Sequence, residues 1–256
     1  MNQKTIFGAM NTYSHDAIVP FKDSRESKKK QVENMFDKIA FRYDFLNRFL
    51  SAGIDVSWRR KAIKELASIH PKNILDVATG TGDFALTSYK ILHPEQITGI
   101  DISDGMLEIG RKKIKKLGLE GKIQLLNGDS EAIFFDDSSF DAVTVAFGVR
   151  NFENLEKGLS EIYRVLKPGG KLIVLEFSKP NAPVIKSLYN FYMRFVTPKI
   201  GKLISKNNEA YQYLNNSVQK FPEREKFIQI LNQLKYRHSF YKTLSLGICT
   251  IYCGEK

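Results

Sequence analysis

Two aspartates and two glycines crowded into Asp76-Val77-Ala78-Thr79-Gly80-Thr81-Gly82-Asp83 form the run of this chain best suited to holding a small molecule. Gly80 and Gly82 allow a tight turn and let the backbone come closer to a ligand than any side chain would permit. Such a turn after a strand serves several nucleotide-like ligands, so charge has to choose among them. A pyrophosphate resting on the next helix N-terminus would be repelled by Asp76 and Asp83, whereas the ammonium and sulfonium of S-adenosylmethionine would be attracted. Asp101, 21 residues beyond Gly80, is placed to accept both ribose hydroxyls, a role that suits a carboxylate better than an amide. Asp129 with Ser130 could bind the adenine amino group. Taken singly, Asp101 also suits a helix N-terminus and Asp129 a turn.

These residues act together only if strands and helices bring them to one place. The spacing predicts strands over 74–78, 96–101, 122–126, 140–147 and 171–177, with helices from Asp83, over 104–117 and over 155–166. The turn Lys167-Pro168-Gly169-Gly170 separates the last helix from the last of these strands. Alternation of this kind implies a parallel, doubly wound α/β sheet, in which ligands sit beyond the carboxyl ends of the strands at the switch in strand order. Tyr236 to Phe240 and Thr243 to Tyr252 are rich in β-branched and aromatic residues and read as a closing antiparallel hairpin.

Upstream, residues 1 to about 30 read as a loose polar arm able to order against the site, followed by one or two amphipathic helices over 30–50 and another from Trp58. The expected organisation is an N-terminal arm and helical cap over 1–72 and a ligand-binding domain over 73–256, with a helical insertion at about 180–234. Within that insertion, Val184, Ile185, Leu188, Phe191, Tyr192, Phe195 and Val196 share a helical face that suits a lid, a membrane-facing helix or plain packing.

The net charge of +11 is uneven. Residues 1–72 hold 14 Lys+Arg against 8 Asp+Glu and residues 179–256 hold 13 against 4, while 73–178 hold 12 against 16. Basic flanks suit an anionic partner, a phospholipid surface or nucleic acid, or merely solubilise the chain. No apolar run is long enough to span a bilayer, and no charged-then-apolar leader is legible, so the protein is expected in the cytosol. Cys249 and Cys253 share one late strand with no ligand-spaced histidines nearby and read as packing residues rather than a disulfide or zinc site. The four histidines are scattered and form no catalytic cluster.

With these features in view, the chain resembles a class I S-adenosylmethionine-dependent methyltransferase, and within that class the family that C-methylates the quinone ring in menaquinone and ubiquinone synthesis. The resemblance rests on Tyr43-Asp44-Phe45-Leu46-Asn47-Arg48-Phe49-Leu50-Ser51 continuing to Trp58, on Phe147-Gly148-Val149-Arg150-Asn151, and on Arg164-Val165-Leu166-Lys167-Pro168-Gly169-Gly170 with Leu175-Glu176-Phe177-Ser178. It covers about residues 20 to 180, with further likeness around Phe221-Pro222 and Gly247. Leu46, Asp55 and Ala146 stand where the family often has methionine, histidine and serine. The resemblance implies a seven-stranded, mostly parallel Rossmann-like sheet with an antiparallel C-terminal hairpin, and carries over Thr81, Asp101, Asp129 and Ser130 as cofactor contacts, beside Asp76, Gly80, Gly82 and Ala146.

The reaction so implied is attack by a ring carbon of demethylmenaquinol, or of a polyprenyl benzoquinol, on the methyl of S-adenosylmethionine, with no metal. Arg150 is suited to stabilising the quinol oxyanion or positioning a proton-accepting water, or else to a structural ion pair. Glu176, Asp44 and Tyr43 stand side by side as candidate bases. A polyprenyl tail would bring the enzyme to the inner face of the membrane, where basic surfaces assist docking. A rival reading, a methyltransferase of RNA or DNA, lacks the Pro-Pro-aromatic and Pro-Cys motifs of that chemistry, so no nucleic-acid partner is expected. A second rival is a binding scaffold without turnover.

Overall fold

The apolar run at 73–77 becomes the strand around which the sheet is built, in a computed structural model that describes residues 12–51, 53–180 and 208–256. β1 (Asn73–Val77) is buried along almost its whole length, as a parallel strand covered on both faces must be. Its side chains alternate: Leu75 and Val77 enter one core, Ile74 the other. The remaining strands are β2 (Gln96–Asp101), β3 (Ile123–Asn127), β4 (Phe140–Ala146), β5 (Leu166–Phe177), β6 (Arg237–Leu244) and β7 (Cys249–Glu255). They form one seven-stranded sheet in the order β3-β2-β1-β4-β5-β7-β6. The first five run parallel, and β7 pairs antiparallel with both β5 and β6. Strand order reverses between β1 and β4, so the crevice a doubly wound sheet offers to ligands opens beyond the end of β1.

The helices are α1 (Lys28–Leu50), α2 (Ile54–Lys64), α3 (Asp83–Leu92), α4 (Asp104–Lys116), α5 (Leu155–Val165), α6 (Asn208–Lys220) and α7 (Glu225–Gln233). α5 and α7 cover one face of the sheet through Leu155, Leu159, Ile162, Phe227 and Leu231. α2, α3 and α4 cover the other through Ala62, Ile63, Ala85, Leu107 and Ile114. α4 is capped by Ser103, whose hydroxyl accepts the N–H of Met106, and α5 by Asn154, whose amide oxygen accepts that of Lys157.

Of the one or two helices expected over 30–50, the structure has one, α1, of 23 residues from Lys28. Two local expectations change. Leu166 opens β5 rather than closing α5: the pairing with β4 passes from Phe140–Leu166 to Ala142–Lys171, so Lys167 to Gly170 bulge out of the ladder. The closing hairpin turns at Ser245–Gly247, inside the run predicted as its second strand, because Ser245, Leu246 and Gly247 all take positive φ. The apolar face over 184–196 lies outside the described residues. Of the arm, residues from 12 onward order against the domain: the Tyr13 hydroxyl donates to Glu156, and the His15 ring is buried edge-on against Phe221.

Candidate functional site

The glycine loop is held from beneath. Asp76, on β1, is buried, and its two carboxylate oxygens accept the hydroxyls of Thr79 and Thr144, each at 2.6 Å. Burial pushes its carboxyl up to about 6, against those two hydrogen bonds. Ala78 follows β1 and Phe147 follows β4, and both adopt left-handed φ, of 53° and 57°. Such strain in non-glycine residues costs on the order of 1 kcal/mol apiece and concentrates at working sites. Gly80, at φ 55°, has nothing within 4 Å of the position a Cβ would take, and lines the cleft beyond the strand ends.

That cleft holds about 640 Å³ of empty space, open solvent at its mouth included. Of the residues singled out from the sequence, Gly80, Asp101, Asp129, Ser130, Ala146 and Tyr43 line it. Asp101 ends β2, and one of its oxygens accepts the N–H of Gly80 at 2.8 Å while the other accepts that of Ser103 at 2.9 Å. Each carboxylate oxygen has two acceptor positions, so this arrangement leaves capacity for a pair of ribose hydroxyls. Burial, to which the nearby charge of Asp37 adds, pushes the Asp101 carboxyl up to about 6. Asp129, just past β3, accepts the N–H of Glu131 at 2.9 Å and an ammonium hydrogen bond from Lys29 at 2.6 Å.

Asp76, Thr81, Gly82, Asp44, Arg150 and Glu176 stand behind the wall rather than on it. The Thr81 hydroxyl donates to Asp44 at 2.6 Å and accepts from the Lys113 ammonium at 2.9 Å. Gly82, at φ 77°, starts α3. Asp83 pairs with Lys113 at 2.9 Å and Arg48 at 3.3 Å. Asp76 is buried and absent from the cleft wall and Asp83 is ion-paired, so neither presents a free carboxylate to a cation in the cleft; of the singled-out aspartates, Asp101 and Asp129 line it. These two cleft residues also match an adenosyl group: one carboxylate at the end of β2 and another past β3.

On the other side of the switch point, Phe147 and Phe177 stack with centroids 4.5 Å apart, and Trp58 meets Phe177 edge-on at 6.3 Å. Guanidinium groups cover this pair, Arg59 over Phe147 and Arg150 over Phe177, both at 5.5 Å. Arg150 also donates one nitrogen to Glu176 and to the Phe147 carbonyl, each at 2.6 Å, while its Nε is buried without a hydrogen-bond partner. Burial raises the pKa of Glu176 and outweighs the opposing charge of Arg150. Tyr213, on α6, donates its hydroxyl to the amide oxygen of Asn151 at 3.1 Å, at the cleft wall.

Sequence reasoning passed over Lys29, Asp37, Lys113 and Tyr213. Asp37 on α1 accepts the Ser103 hydroxyl at 2.6 Å and the Gly105 N–H at 3.0 Å, so α1 lies against the loop after β2 as well. Lys29 stood in plain view within the run Lys28-Lys29-Lys30, but charge runs on an arm usually face solvent. The other three find their partners far along the chain.

The ubiE/COQ5 methyltransferase family matches residues 24–256. A demethylmenaquinone methyltransferase of Bacteroides fragilis is 48% identical over 244 residues, covering 95% of this chain and 99% of its own. A ubiquinone/menaquinone biosynthesis C-methyltransferase UbiE of Geotalea daltonii is 46% identical over 230 residues, covering 90% and 97%. Among solved structures, an S-adenosylmethionine-dependent methyltransferase of Thermotoga maritima, described as a possible histamine N-methyltransferase, superposes with TM-score 0.59 at 20% identity, covering 87% of this chain and 99% of that one. The [4+2]-cyclase SpnF does so with TM-score 0.58 at 18% identity, covering 89% and 96%. These likenesses show the class I methyltransferase fold and, at such identities, the fold alone.

Proposed function

The chain belongs to the ubiE/COQ5 methyltransferase family, and on that premise we propose that it C-methylates demethylmenaquinol with S-adenosylmethionine, and accepts a polyprenyl benzoquinol as well. The observation that carries the reading is the juxtaposition at the switch point: carboxylates suited to an adenosyl group on one side, an aromatic pair flanked by guanidinium groups on the other. The named activities of the Bacteroides and Geotalea relatives support the quinol as acceptor.

When bound, S-adenosylmethionine supplies an electrophilic methyl group. Asp101 would accept the ribose hydroxyls, Asp129 the adenine amino group, and Gly80 would let the backbone pass close to the ligand. Asp76, Thr81 and Gly82 would act one layer back, fixing the loop through Thr79, Thr144, Asp44 and α3. A quinol ring in the cleft would meet Phe147 and Phe152 on its wall, and the Arg150 charge, one layer behind, would favour the anionic oxygen that turns the ring carbon nucleophilic. Of the three candidate bases, Tyr43 is the one on the cleft wall. Glu176 is tied to Arg150 and Asp44 to Thr81 and Lys113, so both fit supporting roles better. Among the described residues no helix is long and apolar enough to cross a membrane, and the basic flanks support transient contact with an anionic membrane surface.

The test is transfer of a labelled methyl group to demethylmenaquinol and to an unmethylated benzoquinol side by side, with RNA as control. Label should enter the quinols; label in RNA alone would sink the reading. Binding to anionic liposomes at low salt, lost at high salt, tests the surface contact.

A further inference from the structure

Lys29 lines the cleft, and its ammonium sits 2.6 Å from Asp129 Oδ2 and 3.6 Å from Glu131 Oε2. The other oxygen of Asp129 already accepts the N–H of Glu131. Glu131 in turn is buried, and its Oε1 accepts the N–H groups of Glu153 at 2.8 Å and Asn154 at 3.0 Å. Asp129 Oδ2, which takes no backbone hydrogen bond, is the oxygen the lysine holds, from a position on the cleft wall. The backbone that carries Lys29 is fixed, because neighbouring Lys28 is buried with its ammonium on the carbonyl of His15 at 3.0 Å and that of Arg150 at 3.5 Å. Farther along α1, Asp37 and Asp44 tie the helix to the loops after β2 and β1. What can move is the Lys29 side chain, which is 29% exposed and has Glu131 as a second carboxylate to turn to.

We propose that Lys29 is a resident counter-ion of the adenine subsite, which competes with the cofactor for Asp129 and thereby lowers cofactor and product affinity and speeds their exchange. The inference rests on Asp129 being the adenine acceptor. In the ligand-free protein the lysine holds the Asp129 carboxylate in place. On binding, one carboxylate partner is traded for another: adenine takes Asp129 and Lys29 moves to Glu131. An exposed ion pair of this kind is worth at most about 1 kcal/mol, which corresponds to about fivefold in a binding constant. That is enough to tune release of the demethylated cofactor without abolishing capture of the next.

Calorimetric titration of S-adenosylhomocysteine, which carries no net charge, into the wild type, Lys29→Met, Lys29→Gln and Asp129→Asn tests this. At about 0.01 M salt both lysine variants should bind about three- to fivefold more tightly than the wild type. The gap should close toward about 1 M salt, where the Debye length shrinks from about 30 to about 3 Å and the wild-type pair is screened. Asp129→Asn should weaken binding about tenfold or more. If Asp129→Asn binds poorly while both lysine variants bind no better than the wild type, the counter-ion role is wrong and the adenine assignment stands. If Asp129→Asn binds as the wild type does, the adenine assignment fails and takes the proposal with it.

Discussion

Asp101 is the residue on which proton and cofactor compete most directly. Its carboxyl is pushed up to about 6 by burial, and ribose hydroxyls need the ionised form as acceptor. Affinity for S-adenosylhomocysteine should therefore fall as pH drops through about 6, and Asp101→Asn should bind weakly with a flat profile over that range; an unchanged slope in the variant would place the titrating group elsewhere. Folding carries the opposite sign. Because the Asp76 and Asp101 pKa values lie above the ordinary 3.8, the stability these groups contribute is complete below that value and is lost as pH rises through about 6. Thr144 presents a related case, as it supplies one of the two hydroxyls on buried Asp76. Thr144→Val should cost about 1–3 kcal/mol in urea unfolding by leaving that oxygen without its donor. Asp101 and Gly80 were legible in the sequence because each sits at a strand end beside a turn signal. Thr144 was not, because its partner is 68 positions away and only the pairing of β1 with β4 brings them together.

At the scale of elements, α4 packs directly against the glycine loop. A Cβ at Gly110 would fall 2.4 Å from Leu125 Cδ1 and 3.1 Å from the Thr81 carbonyl carbon and oxygen. Leu125 can turn aside, but the Thr81 backbone can yield only by moving the loop. Gly110→Ala should thus lower stability by about 1–3 kcal/mol and weaken S-adenosylhomocysteine binding along with it, as read by thermal unfolding and calorimetry. Stability loss with binding intact would mean that the loop does not transmit the push. Helical and strand periods made most elements readable, since alternate burial along β1 and the apolar stripe of α5 are local patterns. The turn at Ser245–Gly247 was misplaced because the non-glycine residues Ser245 and Leu246 take left-handed φ there, and the bulge at Lys167 to Gly170 because it depends on pairing with β4. The contacts of α1 with three successive loops were invisible for the same reason: they need the loops after β1, β2 and β3 side by side.

For the whole molecule, the βαβ rhythm sufficed to expect the strand-order switch and hence the side on which a ligand sits, while the acceptor came from resemblance rather than from charge or period. Cys249 and Cys253 are free and buried on β7, and burial pushes both thiols up, Cys253 to about 11. Neither should react with a thiol reagent in the native protein at neutral pH, and both should react together at the rate of unfolding; fast labelling of one alone would show that β7 opens locally. The place of β7 also bears on how the chain reaches its native state. Among the described residues β6 has no neighbour in the sheet except β7, and β7 must insert against β5, whose sequence lies 76 residues upstream at the Leu175–Ile251 pair. The five parallel strands can assemble first, but until the hairpin arrives β5 presents a bare edge of unpaired amides and carbonyls. Crowded or hot refolding therefore has its natural point of failure there, where a second molecule's β5 edge can pair before the chain's own β7 does.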